Sequence, residues 1–459
     1  MANSTRQSVL FPTHFSKPLH IAFDESATSS DGGAVLLRAV DQTLDLTAAL
    51  ATAFRDNRQG AKVRHSTAEL LAQRIFGLAL GYPDANDAGR MAADPMMRLL
   101  IDGGDGSGSS LASQPTLSRF ENSASNTDMY RMGMTLAETV VAYHKKRLGR
   151  TKVKRITIDL DPTDTPNHGE QQELSFFNGH YGHFCYLPML GFVSFNDEPD
   201  QYLFAAVLRS GVASARDGAC GVLRRILAIL RRSFRKARIM VRLDGGFAGP
   251  EMFDFLEVQR VTYIVGMAGN SVLDKRAECA MDKVRKLSNR TGQSAALFGE
   301  TQYAAGSWKR KERRIIYKAE VVRFAGRAPR DNQRFLVTNL RNKPEGVYDV
   351  YRMRGESENR IKELQHGLRL DLTSCVTFKA NQMRVLMTAA AYVLMQTLRS
   401  RLSHTSLARK QVESLRLMLL KIGAKVTSSV RRFVVRMAEN HPWRDEWYEA
   451  ARAWGAVAR

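Results

Sequence analysis

A strand is predicted where apolar and polar residues alternate between Ile156 and Asp161. Ile156, Ile158 and Leu160 fall on one face, because successive side chains of a strand point to opposite sides. Asp159 and Asp161 share the other face. A strand buried on both faces is normally apolar throughout, and an isolated buried carboxylate is costly. The two acids therefore indicate either a functional site or an edge strand whose acids face water.

The same alternation recurs before Asp244. Ile239, Val241 and Leu243 occupy one strand face, and Asp244 follows at the carboxyl end. Gly245–Gly246 come next, and glycines allow close backbone approach and unusual dihedral angles. Ligands of open α/β sheets bind beyond the carboxyl ends of the strands, so Asp244 is a candidate ligand. The alternative is an aspartate that only caps the helix predicted after it.

A helical pattern begins about a hundred residues later. Five polar residues are separated by three, four, four and three positions: Tyr351, Arg354, Glu358, Lys362 and Gln365. This spacing places them on one face of a helix. An arginine there can bind phosphate through two hydrogen bonds, a lysine acts as a point charge, and a tyrosine can stack on a base. The alternative is a solvated face held by Glu–Lys pairs.

Two other glutamates and a glycine belong to the same predicted helix. Glu356 and Glu363 fall outside the polar stripe, so Glu358 is the preferred acid. Gly355 costs about 1 kcal/mol relative to alanine in a helix interior, which indicates close packing at that position.

Three ordered acids are therefore candidate catalytic residues: Asp161, Asp244 and Glu358. Carboxylates suit hard divalent cations, and a pair of such ions can clamp the attacking and leaving oxygens of a phosphodiester reaction. We expect these residues to bind two Mg²⁺ or Mn²⁺ ions. Asp159 is an alternative first ligand, two residues deeper on the same strand face.

The third of these segments resembles a known signature. Tyr351, Arg354 and Glu358 match the Y-(2)-R-(3)-E-(6)-K pattern of bacterial insertion-sequence transposases of the DDE type. Gln365 stands at the lysine position of that pattern, and Lys362 lies one helical turn earlier, where it can substitute. The resemblance implies that Tyr351, Arg354 and Lys362 contact DNA beside the catalytic glutamate.

Further segments over most of the chain resemble the same family. Asp161–Thr163 resembles its Asp-x-Thr motif at the first acid, which favours Asp161 over Asp159, and Arg242–Phe247 resembles its second-acid motif. The other similar segments are 78–87, 94–95, 114–122, 168–171, 177–179, 186–188, 381 and 391–392. The resemblance implies an RNase H-like catalytic core, divalent metal and DNA transposition.

The composition agrees with a nucleic-acid partner. The 459 residues carry a formal net charge of +22, and 44% of them are hydrophobic. So much positive charge favours a polyanion, and so much apolar content excludes wholesale disorder. The longest nearly continuous apolar run, Val385–Met395, is too short to span a membrane. The sequence shows no signal-peptide pattern, and its four scattered cysteines predict a reduced cytosolic protein. The family resemblance implies a bacterial cytoplasmic location, associated with the nucleoid.

Five regions are predicted along the chain. Residues 1–150 are expected to form a helical DNA-binding region, and 401–459 a helical C-terminal region. The catalytic core is expected in two parts, 151–267 and 334–400, with a β-rich insertion at 268–333 between them.

One N-terminal segment is a candidate DNA reader. Ser113–Arg119 could open the second helix of a helix-turn-helix unit that presents Arg119 to DNA. A plain packing helix is the alternative interpretation.

The insertion follows from spacing. The second and third acids are 114 residues apart (358 − 244), far more than one αβ step requires. β-branched and aromatic residues predict strands at 261–265 and 314–323. Between these strands, a basic segment with an aromatic residue is expected to bind phosphates and stack on bases: Trp308, Lys309, Arg310 and Lys311. A solvated hairpin tip is the alternative.

Basic residues also cluster before the first two acid-bearing strands. The link 145–155 contains seven lysines and arginines, and 231–238 contains five.

The predicted fold class is α/β: an RNase H-like mixed sheet flanked by helices, with the β-rich insertion and helical terminal regions. The predicted function is a DNA transposase that cleaves insertion-sequence ends and transfers strands to target DNA, as a homo-oligomer on double-stranded DNA. A nuclease without strand transfer and an inactive DNA-binding protein are the alternatives.

Overall fold

The computed structural model describes residues 9–11, 16–17, 19–21, 25–102, 110–167, 171–308 and 310–457. Lys309 and residues 168–170, which belong to one of the similar segments, lie outside this part of the chain.

The N-terminal region is helical, as the sequence predicts. Its helices are α1 (Val35–Leu44), α2 (Leu46–Ala53), α3 (Thr67–Ala79), α4 (Ala85–Arg90), α5 (Pro95–Asp102), α6 (Gln114–Ser123) and α7 (Asn126–Leu148). Helix α3 starts at a capping box, in which Ser66 and Glu69 each accept a hydrogen bond from the other's backbone N–H.

Eight strands form the central mixed sheet. They are β1 (Arg155–Pro162), β2 (Met189–Phe195), β3 (Tyr202–Val207), β4 (Arg238–Leu243), β5 (Thr262–Met267), β6 (Ala295–Tyr303), β7 (Arg313–Val322) and β8 (Arg330–Thr338). Their order across the sheet is β6-β7-β8-β5-β4-β1-β2-β3. Strands β1, β4 and β5 are parallel, and the other neighbouring pairs are antiparallel.

The order β3-β2-β1-β4-β5 is that of an RNase H-like core, in which an antiparallel meander precedes two strands parallel to its first strand. The predicted fold is therefore confirmed. Arg242 lies opposite Asp159 in the β4–β1 pairing, so the carboxyl ends of these two strands lie side by side. This register brings the chain around Asp161 close to the chain around Asp244.

The predicted insertion contains a long helix as well as strands. Helix α10 (Ser271–Thr291) covers 21 residues, and it packs on the antiparallel strands β6 and β7. Strand β8 pairs with β5, so the insertion extends the core sheet at one side. The helix was not predicted, although its buried residues Leu273, Ala277, Met281 and Val284 are spaced four, four and three positions apart, as on one face of a helix.

Five further helices flank the core: α8 (Ala219–Ser233), α9 (Pro250–Val258), α11 (Pro344–Arg352), α12 (Gly355–Lys362) and α13 (Phe378–Ser400). Helix α13 is buried on nearly every side, and it contacts both α3 and the edge strand β3. A helix that is apolar all round lies in the interior of a protein. Helix α13 therefore joins the N-terminal helices to the sheet. No helix in the described ranges is long and apolar enough to cross a membrane.

The C-terminal region contains helices, as predicted, and a β-hairpin that was not predicted. The helices are α14 (Val412–Leu415) and α15 (Arg444–Ala453), with a π-helical turn at Arg416–Leu420. The hairpin joins Ala424–Ser429 to Arg432–Met437 and pairs with the short strand Thr28–Ser29. The remaining strands are Val9–Phe11 with Leu19–Ile21, and Thr165–Pro166, His183–Tyr186 and Phe176–Asn178 in a small sheet.

Candidate active site

Asp161 lies near the carboxyl end of β1 and is 6% exposed. One of its carboxylate oxygens is 2.9 Å from a guanidinium nitrogen of Arg354. The other accepts a hydrogen bond of 3.1 Å from the Ser357 hydroxyl. Strand β1 therefore places Asp161 next to the segment between α11 and α12.

Asp244 directly follows β4. Its Oδ1 accepts a hydrogen bond of 2.8 Å from the backbone N–H of Gly246, so it does cap the short turn after the strand. Its Oδ2 remains available and lies 3.5 Å from Arg354. The capping and ligand interpretations are therefore compatible, because each uses a different oxygen.

A glycine on β5 allows the chain to close around Asp244. A Cβ on Gly266 would lie 2.7 Å from the Tyr351 hydroxyl and 2.9 Å from the backbone nitrogen of Gly245. Both distances are too short for a real side-chain carbon, so only glycine fits here. Tyr351 is thereby packed against the backbone beside Asp244, and burial raises the pKa of its phenol.

Glu358 lies in the first turn of α12, and its side chain is 60% exposed. Its carboxylate is 3.8 Å from the second terminal nitrogen of Arg354. Three acids that are far apart in the sequence therefore surround one guanidinium group. Arg354 is 9% exposed, and its Nε atom is buried without a hydrogen-bond partner in the described chain.

The electrostatics reflect this crowding of negative charge. The pKa of Asp161 is raised to about 6, mainly by burial and also by the nearby charges of Asp244 and Glu358, whereas Arg354 and the Ser357 hydroxyl oppose the shift. A buried carboxyl whose pKa is raised and that lies among other acids is typical of a functional site.

Asp159 has a different environment. It is fully buried, and its two oxygens accept hydrogen bonds of 2.8 and 2.7 Å from Nε and Nη2 of Arg242 on β4. Arg242 also donates to the backbone carbonyl of Val350, at 2.7 Å. Asp159 is therefore neutralised by a buried ion pair and takes no part in the cluster around Arg354.

The continuous helix predicted from Tyr351 onward is wrong in one respect. Helix α11 ends at Arg352 and α12 begins at Gly355, with Met353 and Arg354 in a turn between them. The backbone N–H of Arg354 bonds to the carbonyl of Tyr351, three residues back. A Cβ on Gly355 would meet nothing within 4 Å, so close packing does not explain this glycine.

The end of the predicted stripe also departs from expectation. A π-helical turn at Glu363–Gly367 rotates Gln365 toward β1, where its amide donates to the hydroxyl of Thr163 at 2.8 Å and to the carbonyl of Asp164 at 3.0 Å. Gln365 therefore fastens the helix to the chain after Asp161 and is not presented to solvent as a DNA contact would be. Lys362 is exposed on α12.

The two lower-ranked glutamates lie away from the three acids. Glu363 is 4% exposed and is held by Arg399 at 2.7 Å, Arg360 at 2.9 Å and the Tyr392 hydroxyl at 2.6 Å. Glu356 is exposed and accepts a hydrogen bond from Asn359.

The proposed base-stacking role of Trp308 is contradicted by its burial. Trp308 is 5% exposed and packs edge-on against Phe253, with ring centroids 5.2 Å apart. Arg313 lies over the Trp308 ring, 5.2 Å from its centroid. Lys311 is bound by the carboxylate of Glu257, which leaves Arg310 as the exposed cation of the described part of this segment.

Replacing Trp308 by alanine should therefore destabilise the fold and not specifically weaken DNA binding. Loss of a buried tryptophan costs roughly 3–5 kcal/mol, and urea denaturation would measure this loss. Arg310→Ala is the matched control, because Arg310 is exposed in the same turn and should leave the free energy of unfolding almost unchanged. Equal stabilities of the two variants would contradict a packing role for Trp308.

Arg119 is exposed on α6, as a DNA contact requires. Leu117 and Phe120 on the same helix are buried, and α6 packs against α4. The helix-turn-helix interpretation stays a prediction.

The carboxylate oxygens of the three acids suit a divalent cation, but in this structure they surround the guanidinium group of Arg354. Within the described ranges, no group of three or more His, Cys, Asp and Glu side chains is placed to hold a metal ion. The carboxylates of Asp161, Asp244 and Glu358 instead lie 2.9, 3.5 and 3.8 Å from Arg354. Hard oxygen ligands with excess negative charge are what Mg²⁺ and Mn²⁺ require, so ion binding needs Arg354 to move aside.

Sequence reasoning missed three residues that shape this site. Ser357 positions Asp161, and Gly266 allows Tyr351 to pack beside Asp244. Gln365 holds the end of the helix against the chain that follows Asp161. A glycine inside the apolar run of β5 was the available signal, because glycine in a strand marks close backbone approach. The contacts of Ser357 and Gln365 depend on residues 196 and 202 positions away, and no local pattern indicates them.

Comparison with known proteins identifies the class of the protein. The model of the family "Transposase DDE domain group 1" matches residues 11–455, nearly the whole chain. The chain therefore belongs to this family of DDE transposases, and the resemblance inferred from its motifs is confirmed at the level of the family.

The chain was also compared with solved structures and with curated proteins. The chain aligns with a piggyBac transposase, solved by cryo-electron microscopy as a synaptic complex with hairpin DNA, at 9% identity and a TM-score of 0.38. The alignment covers 84% of this chain and 79% of that one. No curated protein matches the sequence significantly.

Proposed function

We propose that this transposase cleaves DNA at the ends of an insertion sequence and joins the freed 3′ ends to target DNA, with divalent metal as its cofactor. The observation that supports this most directly is the convergence of Asp161, Asp244 and Glu358 on Arg354. The proposed place of action is the bacterial cytoplasm, on the nucleoid.

Asp161, Asp244 and Glu358 are the proposed ligands of two Mg²⁺ or Mn²⁺ ions. Such ions, when bound, activate the attacking oxygen and stabilise charge on the phosphate and the leaving oxygen. The protein supplies the carboxylates from two parallel strands and one helix, so their relative positions depend on the packing of α12 against β1. Metal binding requires ionised carboxylates, so it should strengthen as Asp161 loses its proton near pH 6.

Arg354 has two proposed roles. Without metal, its guanidinium group balances the charge of three acids that would otherwise repel one another. Arg354 lies one turn before Glu358. With DNA present, the two terminal nitrogens of its guanidinium group can hold a phosphate. Tyr351 and Lys362 are proposed to contact DNA on either side of it.

DNA contacts outside the acid cluster are proposed for Arg119 and Arg310. Both side chains are exposed. Double-stranded DNA is the proposed partner, and assembly of several copies on the DNA ends is expected because two ends must be joined to one target.

A combined nicking and joining assay tests this function. Purified protein is incubated with a labelled element end and a target plasmid, with Mg²⁺, Mn²⁺ or EDTA. Metal-dependent nicking followed by joined products supports the transposase. Nicking without joining would instead favour a nuclease, and binding without nicking would favour an inactive DNA-binding protein.

Arg354→Lys should reduce nicking much more than DNA affinity. Lysine keeps the charge but loses the planar fork that contacts several oxygens at once. Loss of one positioned donor at a reacting group typically costs on the order of 100-fold or more in rate, so we expect roughly a 100-fold fall in nicking. Affinity for the same labelled end should change only about 2-fold, within the range of a surface contact.

Arg352→Lys is the control for this experiment. Arg352 lies two residues earlier, is exposed and is only loosely paired with Asp349, at 3.7 Å. Normal nicking by both variants would mean that Arg354 does not bind the phosphate under attack.

A further inference from the structure

A basic surface lies at the edge of the sheet opposite the three acids. It consists of six exposed lysines and arginines, which we name the amino-edge track: Lys152, Lys154, Arg235, Lys236, Arg238 and Arg260. None of them lies within ion-pair distance of an acid in the part of the chain that the structure describes. An unpaired run of cations on one edge favours a polyanionic ligand.

The parallel strands bring these residues together from three separate stretches of sequence. Lys154 immediately precedes β1, and Arg238 is the first residue of β4. The backbone N–H of Arg238 donates to the carbonyl of Lys154 at 2.9 Å, which fixes the two strand starts side by side. Arg260 lies two residues before β5, the next strand in the sheet. Neighbouring strands are about 4.8 Å apart, so the track crosses the starts of three adjacent strands.

Nearby acids do not neutralise the track. The turn between β2 and β3 carries Asp197 and Glu198, which pair with Arg155 and Arg147 at this edge. Asp200 in the same turn forms no ion pair within the described ranges. Of these three acids, one is therefore unpaired, compared with the six unpaired cations of the amino-edge track.

The track is remote from the candidate active site. Asp161 lies six residues along β1 from Arg155, and a strand rises about 3.3 Å per residue, so the separation is about 20 Å. DNA bound at the acids on the carboxyl edge would not cover this opposite edge. The track therefore remains accessible to a separate ligand.

We propose that the amino-edge track binds the phosphate backbone of a second duplex DNA segment, without selecting its sequence. The proposal rests on the proposed function in one respect, namely that the protein acts on DNA. Its side chains are lysine and arginine alone, which suit phosphate oxygens and do not form a base-reading set. An anionic membrane fits less well, because Val258 is the one exposed large apolar side chain in the described segments 145–155, 231–240 and 256–262.

The test removes four of these charges and measures binding. The variant K152Q/K154Q/R235Q/K236Q is compared with K275Q/K283Q/K286Q/R290Q, which removes four exposed and unpaired charges from the outer face of α10. Each lost phosphate contact lowers the slope of log affinity against log salt by about 0.9, so the track variant should lose about 3 to 4 from the slope for an unrelated duplex. The α10 variant should retain the slope of the wild-type protein.

Stoichiometry gives an independent readout. At low salt, wild-type protein should bind two short unrelated duplexes per chain, and the track variant one. The charge-conserving variant K152R/K154R/R235K/K236R should restore the second. Equal slopes for the track variant and wild type, equal losses in the track and α10 variants, or one duplex per wild-type chain would each overturn the proposal, as would stronger binding of anionic vesicles than of DNA.

These measurements do not depend on cleavage. A wild-type protein that binds two duplexes but never nicks DNA would contradict the proposed function and leave the track intact. A protein that nicks and joins DNA but binds one duplex would contradict only the track.

Discussion

Glu358→Gln is expected to abolish metal-dependent nicking while DNA affinity stays near the wild-type value. Glutamine has the same shape as glutamate but cannot supply an anionic oxygen ligand, and removal of a group that acts on the reacting centre typically costs a factor on the order of 1,000 or more. Glu358 is 60% exposed on the side chain, so its replacement should not disturb the fold. Cleavage of a labelled end and Mn²⁺ binding, measured by calorimetry, should fall together.

Glu356→Gln provides the matched control. Glu356 lies on the same helix, is exposed, and accepts a hydrogen bond only from Asn359. It should retain nicking and Mn²⁺ binding. If Glu358→Gln cleaved normally while Glu356→Gln did not, the third acid would be Glu356, and the cluster around Arg354 would be structural.

Asp159→Asn is expected to destabilise the protein, whereas Asp161→Asn should inactivate it without loss of stability. Asparagine at 159 leaves the Arg242 guanidinium buried without a negative partner. Breaking one side of a buried ion pair costs roughly 3–5 kcal/mol, which urea denaturation would detect. Replacing both partners, in D159L/R242M, should recover part of that loss, because a well-packed apolar pair no longer contains an unpaired charge.

The pH dependence of stability tests the role of Asp161 further. Burial raises the folded-state pKa of Asp161 to about 6, above its value in an unfolded chain, so the metal-free protein loses stability from this group as pH rises from about 4 to about 6, and the loss levels off above that. Asp161→Asn cannot ionise and should escape that loss. Its stability relative to wild type should therefore increase through this pH range in EDTA. An inactive but fully stable Asp159→Asn protein would instead identify Asp159 as the first ligand.

Local patterns were enough to predict the strands that carry the first two acids. The alternation of Ile156, Ile158 and Leu160 reflects a period of two that needs no partner strand to be recognised. The same holds for the strand before Asp244. The family resemblance then implied the RNase H-like core that the strand order confirms.

The sequence could not distinguish the environments of Asp159 and Asp161, because both fall on one strand face. The pairing of β1 with β4 makes the two environments different. It sets Arg242 opposite Asp159 and leaves Asp161 beyond the residues that pair with β4. Strand register depends on contacts between residues more than 80 positions apart, as between Asp159 and Arg242, and local spacing contains no information about it.

The positions predicted for Trp308 and Gln365 were not found, because both side chains contact other parts of the protein. Trp308 stands in a basic segment that suits a DNA contact, but Phe253 and Arg313 enclose it. Gln365 has the right spacing for the helix face, but a π-helical turn rotates it onto Thr163. In both cases the composition of a segment indicated which chemistry was available, while the tertiary structure decided which side chains reach solvent.

By itself, the sequence determined the class of fold, the three candidate acids and the positive charge that favours DNA. Only the tertiary structure decided that Arg354 lies among those acids, that Asp159 is neutralised and that six cations line the far edge of the sheet. The physical reason is that side-chain periodicity follows from the local backbone, whereas ion pairing and burial follow from which distant segments meet.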